Sequence, residues 1–151
     1  MQIKKVLVPV DFSKDSLRAA EYAKNFAAPF GAQLVLLHVI EPIYYASPAD
    51  MYAASPNLAL LIEEQRKAAQ AQLEQLAQKL SGQGAKVQTL LKSGSPAQVI
   101  ADTAKRIKAD LIVMATHGRT GLAHVLLGSV AERVVRLATC PVLTVRRPRR
   151  R

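Results

Sequence analysis

The chain of 151 residues is 50% hydrophobic and 21% charged, a balance that is typical of one globular domain and excludes a disordered chain. Its formal net charge is +10, and half of that charge belongs to five arginines among the last six residues. The single cysteine, Cys140, excludes an intramolecular disulfide and paired-cysteine metal motifs. No stretch of the sequence is typical of a signal peptide or a membrane span, so we expect a cytoplasmic protein.

The first strand and helix are predicted from residues 3–31. Residues 3–10 are apolar and rich in β-branched side chains, which indicates a buried strand. Ser13 or Asp11 is placed to cap the helix that follows, and Gly31 is placed to end it. Apolar residues recur at helical spacing in this helix and predict a buried face made of Ala19, Tyr22, Ala23, Phe26, Ala27 and Phe30.

The next segment predicts a strand, a long loop and a long helix. Residues 33–39 form a second apolar run, in which His38 is interpreted as a hydrogen-bonded core residue. Residues 40–55 have no regular pattern and predict a loop, and residues 56–80 predict a helix with proline at its first position. The face of this helix that we expect to be buried consists of Leu58, Leu61, Ile62, Ala69, Leu73, Leu76 and Leu80.

The second half of the chain continues the alternation of strand and helix. Residues 85–91 predict a third strand near an edge of the sheet, and Ser95 and Pro96 begin a helix that runs to about residue 108. Residues 110–115, 129–138 and 141–145 then predict a buried strand, a helix and a last strand.

The order βαβαβαβαβ predicts a single-domain α/β fold, in which a doubly wound, five-stranded parallel sheet carries helices on both faces. Ligands of such sheets bind beyond the carboxyl ends of the strands, at the point where the strand order reverses. We therefore expect a ligand near the ends of strands one and four, that is, near Asp11 and residues 116–128.

A glycine-containing loop before the last helix predicts an anion site. Gly118 and Gly121 interrupt the apolar pattern after residue 115, and Gly128 precedes Ser129 and Glu132, which have the spacing of a capping box. The N-terminus of a helix offers unpaired backbone N–H groups and a partial positive charge. We therefore expect Ser129 to cap this helix and the same N–H groups to bind a phosphate.

The residue pattern argues against catalysis and against a protein-built metal centre. Three scattered histidines, His38, His117 and His124, and one cysteine form no metal-binding motif. The chain has no P-loop, dinucleotide-binding, nucleophile-elbow or zinc-protease motif. Residues 115–130 contain neither a lysine to neutralise a γ-phosphate nor a carboxylate to activate water. We predict no catalytic residues, and binding of a phosphate ligand in preference to efficient hydrolysis.

These motifs resemble the universal stress protein (UspA-like) family. That family is marked by G-x-x-G-x(9)-G-[ST] after its fourth strand, and Ala115, Gly118, Gly128 and Ser129 occupy the four fixed positions, with alanine in place of the first glycine. The aspartate that the family carries after its first strand is matched by Asp11. The resemblance implies a universal stress protein domain over residues 1–145, with a Rossmann-like fold of the adenine nucleotide alpha hydrolase type. It also implies a homodimer formed through the last strand, residues 141–145. Residues 146–151 are too rich in arginine to bury apolar surface and predict a disordered basic tail.

In one subgroup of the family the resemblance implies binding of an adenine nucleotide, here expected to be ATP. Bound phosphates ordinarily bring Mg²⁺, which takes few oxygens from the protein. The position of Asp11 contacts the ribose, the backbone near Val39 and Ile40 holds adenine, and the glycine-rich segment with the start of the last helix cradles the phosphates. The implied nucleotide-binding residues are Pro9, Val10, Asp11, Val39, Met114, Ala115, Thr116, His117, Gly118, Arg119, Gly128, Ser129 and Val130.

The sequence leaves two functions open. The first is an ATP-binding regulatory module of the stress response. The alternative is a stress protein that binds no nucleotide and acts through contacts with an unidentified protein partner, because the methyl group of Ala115 can crowd a nucleotide. Nucleic-acid binding is disfavoured, since no aromatic residues interleave with the arginines of the tail and no recognition motif is present.

Overall fold

Five parallel strands form a single sheet in the part of the chain that the structure, a computed structural model, describes: residues 2–42, 56–82, 85–116 and 128–146. The strands are β1 (Lys5–Pro9), β2 (Gln33–Ile40), β3 (Val87–Ser93), β4 (Leu111–Ala115) and β5 (Val142–Val145). Their order across the sheet is β3-β2-β1-β4-β5, and each neighbouring pair is parallel. The predicted α/β fold class is confirmed, and the predicted third strand lies at an edge.

The helices of the described residues cover both faces of the sheet. They are α1 (Lys14–Ala27), α2 (Pro56–Leu80), α3 (Pro96–Ile107) and α4 (Ser129–Leu137), with a 3-10 turn at Ala28–Phe30. On one face, α1 and α2 pack in a hydrophobic cluster that includes Val6 and Leu34 of the sheet. On the other face, α3 and α4 pack with Leu7 and Val35. None of the described helices is both long and apolar enough to cross a membrane.

Successive side chains of β1 point to opposite faces of the sheet. Val6 and Val8 belong to the cluster under α1 and α2, Leu7 belongs to the cluster under α3 and α4, and all three are fully buried. Burial of each such side chain contributes about 1.5–3 kcal/mol to folding. Because both faces of β1 are covered, its sequence is a continuous apolar run without polar alternation.

The amino ends of β1 and β4 are joined by Asp110. Its Oδ2 accepts hydrogen bonds from the backbone N–H groups of Lys4 (2.8 Å) and Lys5 (2.9 Å). The Nζ of Lys5 donates to the carbonyl oxygen of Ile107 (3.0 Å). The two backbone hydrogen bonds, followed by the charges of the two lysines, hold the pKa of the Asp110 carboxyl below its ordinary value. We call Asp110 and its two backbone donors the Asp110 clamp.

The outer strand β5 presents an open edge within the described residues. The carbonyl oxygens of Pro141 and Val145 accept hydrogen bonds from the N–H groups of Ile112 (3.0 Å) and Thr116 (3.2 Å), which belong to β4 and its end. Backbone groups alternate in direction along a strand, so the N–H and C=O of Thr144 point away from β4. These groups are available to a further strand, which is the geometry that the predicted homodimer requires.

The structure corrects the predicted buried face of α2. Leu61 and Ile62 are 60% and 46% exposed, and residues 59–68 are all exposed. The cause is length, since the 25 residues of α2 span about 37 Å, whereas the 7 residues of β3 span about 23 Å. Only the half of α2 from Ala69 onward packs on the sheet.

The predicted face of α1 is also partly wrong. Tyr22 and Phe30 are each 49% exposed. α1 approaches the sheet on the small residues Ala19, Ala20 and Ala23, and this close approach leaves no space for a tyrosine ring on the buried side. Phe30 lies beyond the end of α1, in the 3-10 turn.

Candidate functional site

The reversal of strand order between β1 and β4 defines the candidate site. β1 pairs with β4 on one side and with β2 on the other. The helix after β1, α1, lies on one face of the sheet, and the helix after β4, α4, lies on the other. In doubly wound sheets a reversal of this kind forms a crevice at the carboxyl ends of the strands, where ligands bind. We call this region of the present sheet the crevice, and it is the place where the sequence predicts a ligand.

Asp11 organises the connection from β1 to α1. Its Oδ1 accepts hydrogen bonds from the backbone N–H (3.0 Å) and the hydroxyl (2.6 Å) of Ser13. The Oγ of Ser13 accepts a hydrogen bond from the N–H of Ser16 (3.2 Å), so Ser13 is the cap of α1 and Asp11 orients it. The buried hydroxyl of Ser16 donates to the carbonyl of Ser13 (3.0 Å) and accepts from the N–H of Asp11 (3.3 Å). Ser16 was not predicted from the sequence, although the spacing Ser13-x-x-Ser16 is a signal for this contact.

Phe12 and His38 join the ends of β1 and β2. Phe12 has a φ of +61°, in the left-handed region that bulky residues rarely adopt. Its ring lies 4.6 Å from the imidazole of His38, centroid to centroid. The Nδ1 of His38, which is 8% exposed, lies 2.8 Å from the carbonyl oxygen of Val10 and donates to it. His38 is therefore confirmed as a hydrogen-bonded core residue, and its packing offsets the strain of about 1–3 kcal/mol at Phe12.

The backbone of Val39 faces the space beyond the end of β1. The carbonyl of Leu37 accepts a hydrogen bond from the chain just after β1, at Val10 (2.8 Å), and the carbonyl of Ile40 accepts one from Gly94 (3.0 Å). Odd-numbered residues of β2 thus direct their N–H and C=O towards β1, and even-numbered residues direct theirs towards β3. The pairing of β1 with β2 ends at Leu37. The N–H and C=O of Val39 therefore point past the end of the paired strand.

β4 supplies the other wall of the crevice. Met114, Ala115 and Thr116 are buried at its end. Ala115 pairs with Val145 in a regular strand, and its φ lies outside the left-handed region. Alanine in place of the family's glycine therefore requires no strained backbone at this position. The predicted residues Pro9 and Val10, at the end of β1, are buried as well.

α4 begins at this wall. The N–H of Gly128 donates to the carbonyl oxygen of Thr116 (2.7 Å), and the carbonyl of Gly128 accepts from the N–H of Glu132 (2.9 Å). Gly128 is the N-cap residue, with an extended backbone (φ −65°, ψ 153°), and no side chain caps the helix. The prediction that Ser129 caps α4 is therefore wrong. The hydrogen bond to Thr116 fixes Gly128 at the cap position, which places Ser129 one residue inside the helix.

The first turn of α4 has backbone donors without a side-chain acceptor among the described residues. These are the N–H groups of Ser129, Val130 and Ala131, where the helix also carries a partial positive charge. Ser129 and Val130 are exposed. α1 differs, because the side chain of Ser13 closes its first turn. Within the described part of the chain, the start of α4 therefore has no side-chain cap on its backbone donors, which is the geometry that anions favour at helix N-termini.

Several predicted residues lie outside the described part of the chain, namely His117, Gly118 and Arg119, together with Gly121 and His124. Among the residues that are described, no three His, Cys, Asp or Glu side chains are placed to hold a metal ion. The structure thus brings together the ends of β1, β2 and β4 and the start of α4 around one crevice.

A five-stranded parallel sheet with helices on both faces and a reversal of strand order places the chain in the class of doubly wound α/β proteins. The family model described as "Universal stress protein family" matches residues 2–146. The chain is 40% identical over 147 residues to the universal stress protein MJ0531 of Methanocaldococcus jannaschii, with 97% of this chain and 84% of that protein covered. This protein belongs to the universal stress protein family.

Solved structures of the family share the fold. UspA from Lactobacillus plantarum is 30% identical with a TM-score of 0.85, and the match covers 97% of this chain and 99% of that one. A universal stress protein in complex with cAMP is 28% identical with a TM-score of 0.72, covering 96% of this chain and 98% of that one. The family and fold predicted from the sequence are confirmed.

Proposed function

We propose that this universal stress protein is a regulatory module that binds ATP with Mg²⁺ in the crevice between the ends of β1 and β4. The observation that carries the proposal is the start of α4, where the N–H groups of Ser129, Val130 and Ala131 have no side-chain cap. These donors lie next to Thr116 at the end of β4, because the N–H of Gly128 is bonded to its carbonyl. A phosphate group supplies the acceptors and the negative charge that this helix end lacks.

Gly128 serves the phosphates through its lack of a side chain. Its φ of −65° is open to any residue, so the glycine is not required by the backbone conformation. Because Gly128 has no Cβ, an anion can approach the backbone of the first turn closely. A Mg²⁺ bound with ATP would be held by the phosphates and its own waters, so this proposal asks for no cluster of protein ligands.

The sugar and base have matching partners on the neighbouring strand ends. The carboxylate of Asp11 is oriented by Ser13 at the end of β1 and is an acceptor for ribose hydroxyls. Adenine presents an amino donor beside a ring-nitrogen acceptor. The C=O and N–H of Val39, directed past the end of β1, complement that pair. The similar universal stress protein that was solved with cAMP holds an adenine nucleotide on the same fold.

The module binds ATP without turning it over efficiently. Residues 115–130 contain no carboxylate to activate water and no lysine to neutralise a γ-phosphate. The nucleotide therefore acts as a bound signal that changes the surface around the crevice.

Calorimetric titration with ATP and Mg²⁺ tests the proposal. We expect a micromolar dissociation constant, about −8 kcal/mol. Gly128→Asp adds bulk and negative charge at the phosphates and should abolish the heat of binding. The matched control is Gly82→Asp, since Gly82 lies elsewhere on the surface and, among the described residues, a Cβ there meets only the Nζ of Lys24 at 4.0 Å. Ser129→Ala should weaken binding less than about tenfold, because the backbone donors remain.

Substitution of Ala115 distinguishes the proposed nucleotide-binding function from the alternative function through protein contacts alone. If its methyl group blocks the nucleotide, Ala115→Gly should bind ATP and the wild type should not. If both bind with similar affinity, the methyl group is tolerated. Absence of heat in both proteins would refute nucleotide binding and leave the protein-contact function. Circular dichroism establishes that each variant is folded.

A further inference from the structure

The open edge of β3 lies in a second cleft, of about 440 Å³, that is lined by different residues from the crevice. We propose that this cleft binds an extended acidic segment of a partner protein, which adds to the sheet as a strand beside β3. The inference goes beyond nucleotide binding and does not depend on it. It rests on the direction of the backbone groups of β3, on the two helices beside them and on the charges around the cleft.

β3 has backbone groups available to a partner. In the described part of the chain β3 pairs with β2 alone. The carbonyl of Lys86 accepts from the N–H of Leu34 (2.8 Å), and the N–H of Gly94 donates to the carbonyl of Ile40 (3.0 Å). Even-numbered residues of this strand therefore face β2, and residues 87, 89, 91 and 93 direct their N–H and C=O outward. An edge of this kind is a template for an added strand.

The helices α2 and α3 form the two walls of the cleft. Arg66 lines it from α2, and Asp102, Thr103 and Arg106 line it from α3. These helices pack on opposite faces of the sheet. A cleft that both helices share with Lys92 and its neighbours in β3 must therefore cross the open edge of the strand. A segment lying in it reaches the backbone donors and acceptors of β3 directly.

The charges around the edge favour an acidic partner. Three cations, Arg66, Lys92 and Arg106, line the cleft against one carboxylate, Asp102. Asp102 accepts a hydrogen bond from Gln98 (3.0 Å). None of the three cations forms a salt bridge with a described residue. Carboxylates of a bound strand would pair with these cations on both faces of the sheet, which gives the site its selectivity.

The first test uses a fluorescein-labelled peptide of eight residues, Glu-Glu-Val-Val repeated twice, which places glutamates on both faces of an added strand. Its binding is measured by fluorescence anisotropy at low salt. Arg106→Glu should weaken binding by about tenfold, because it replaces an attraction with a repulsion. Lys105→Glu is the matched control, since this exposed cation is the neighbour of Arg106 in the last turn of α3 and does not line the cleft. Equal losses in both variants would overturn the proposal in favour of unspecific attraction.

The second test examines the backbone hydrogen bonds. A peptide of the same charge with proline at every second position should not bind, and Ser93→Pro, which removes one outward N–H from the edge, should weaken the original peptide. Equal binding of the proline peptide would overturn strand addition. So would tighter binding of a single-stranded oligonucleotide of equal charge, or a change of oligomeric state in Ser93→Pro, which would assign the edge to a second copy. The proposal requires Gly128→Asp to bind the acidic peptide as the wild type does, which separates its failure from a failure of nucleotide binding.

Discussion

The Asp110 clamp should contribute measurably to stability, and Asp110→Asn removes its charge while keeping its shape. Hydrogen bonds to a charged acceptor are worth about 1.5–3 kcal/mol each. Two of them, to Lys4 and Lys5, join the amino ends of β1 and β4. The carboxylate is partly exposed, so water replaces part of this energy, and the remaining carbonyl of asparagine retains one acceptor. We therefore expect a loss of about 1–2 kcal/mol, which lowers the melting temperature by about 2–8 °C.

The pH dependence of this loss identifies its origin. The pKa of Asp110 is lower in the folded protein than its ordinary value of about 3.9. Its contribution is therefore complete above that value and is lost as the pH falls through the lower, folded pKa. The difference in unfolding free energy between the wild type and Asp110→Asn, measured with urea, should be constant from pH 7 to about 5 and should shrink below about pH 4. A difference that persists unchanged at pH 2.5 would refute this reasoning. Asp102→Asn is the control, because Asp102 accepts a hydrogen bond from Gln98 of its own helix and joins no strands.

Three further substitutions test the packing of α2 and the predicted homodimer. Leu73 is fully buried, so Leu73→Ala should lower the free energy of unfolding in urea by about 2–5 kcal/mol. Leu61 is 60% exposed, so Leu61→Ala should lower it by less than about 0.5 kcal/mol. Similar losses in the two variants would contradict the packing of only half of α2 on the sheet. The open edge of β5 predicts a dimer of twice the 16.4 kDa chain in sedimentation at micromolar concentration. Thr144→Pro removes an N–H that points away from β4 and should give a folded monomer, and a wild-type monomer would rule out the dimer.

The fold could be predicted because its signals are local. Continuous apolar runs identify strands buried on both faces, and the alternation of such runs with helical patterns permits few topologies. The cap of α1 could be predicted in the same way, since Ser13 reaches the N–H of Ser16 within one turn. The family pattern predicted a site at the ends of β1 and β4, two strands that the structure shows to be neighbours.

What could not be predicted depends on contacts between distant parts of the chain. The pattern Ser129-x-x-Glu132 looks the same whether or not Ser129 lies at the cap, and the hydrogen bond from Gly128 to Thr116 decides the start of the helix. Helical periodicity identifies which face of α2 is apolar but not how long a sheet lies beneath it. The left-handed backbone of Phe12 also has no local signal, because the ring of His38, on the next strand, stabilises it.

The two halves of α2 should differ in how often they open. A segment with little buried apolar surface unfolds locally at a small free-energy cost, whereas a segment anchored in the core opens only with the whole domain. Residues 59–68 are exposed and form a segment with little buried apolar surface. The rest of α2 is anchored in the core by Leu73, Leu76 and Leu80. Amide protons should therefore exchange with solvent rapidly before Ala69 and slowly after it, within one uninterrupted helix. Arg66 belongs to the half that should open rapidly. A ligand that binds Arg66 therefore uses part of its binding free energy to keep that half folded. Its binding should be visible as slower amide exchange there.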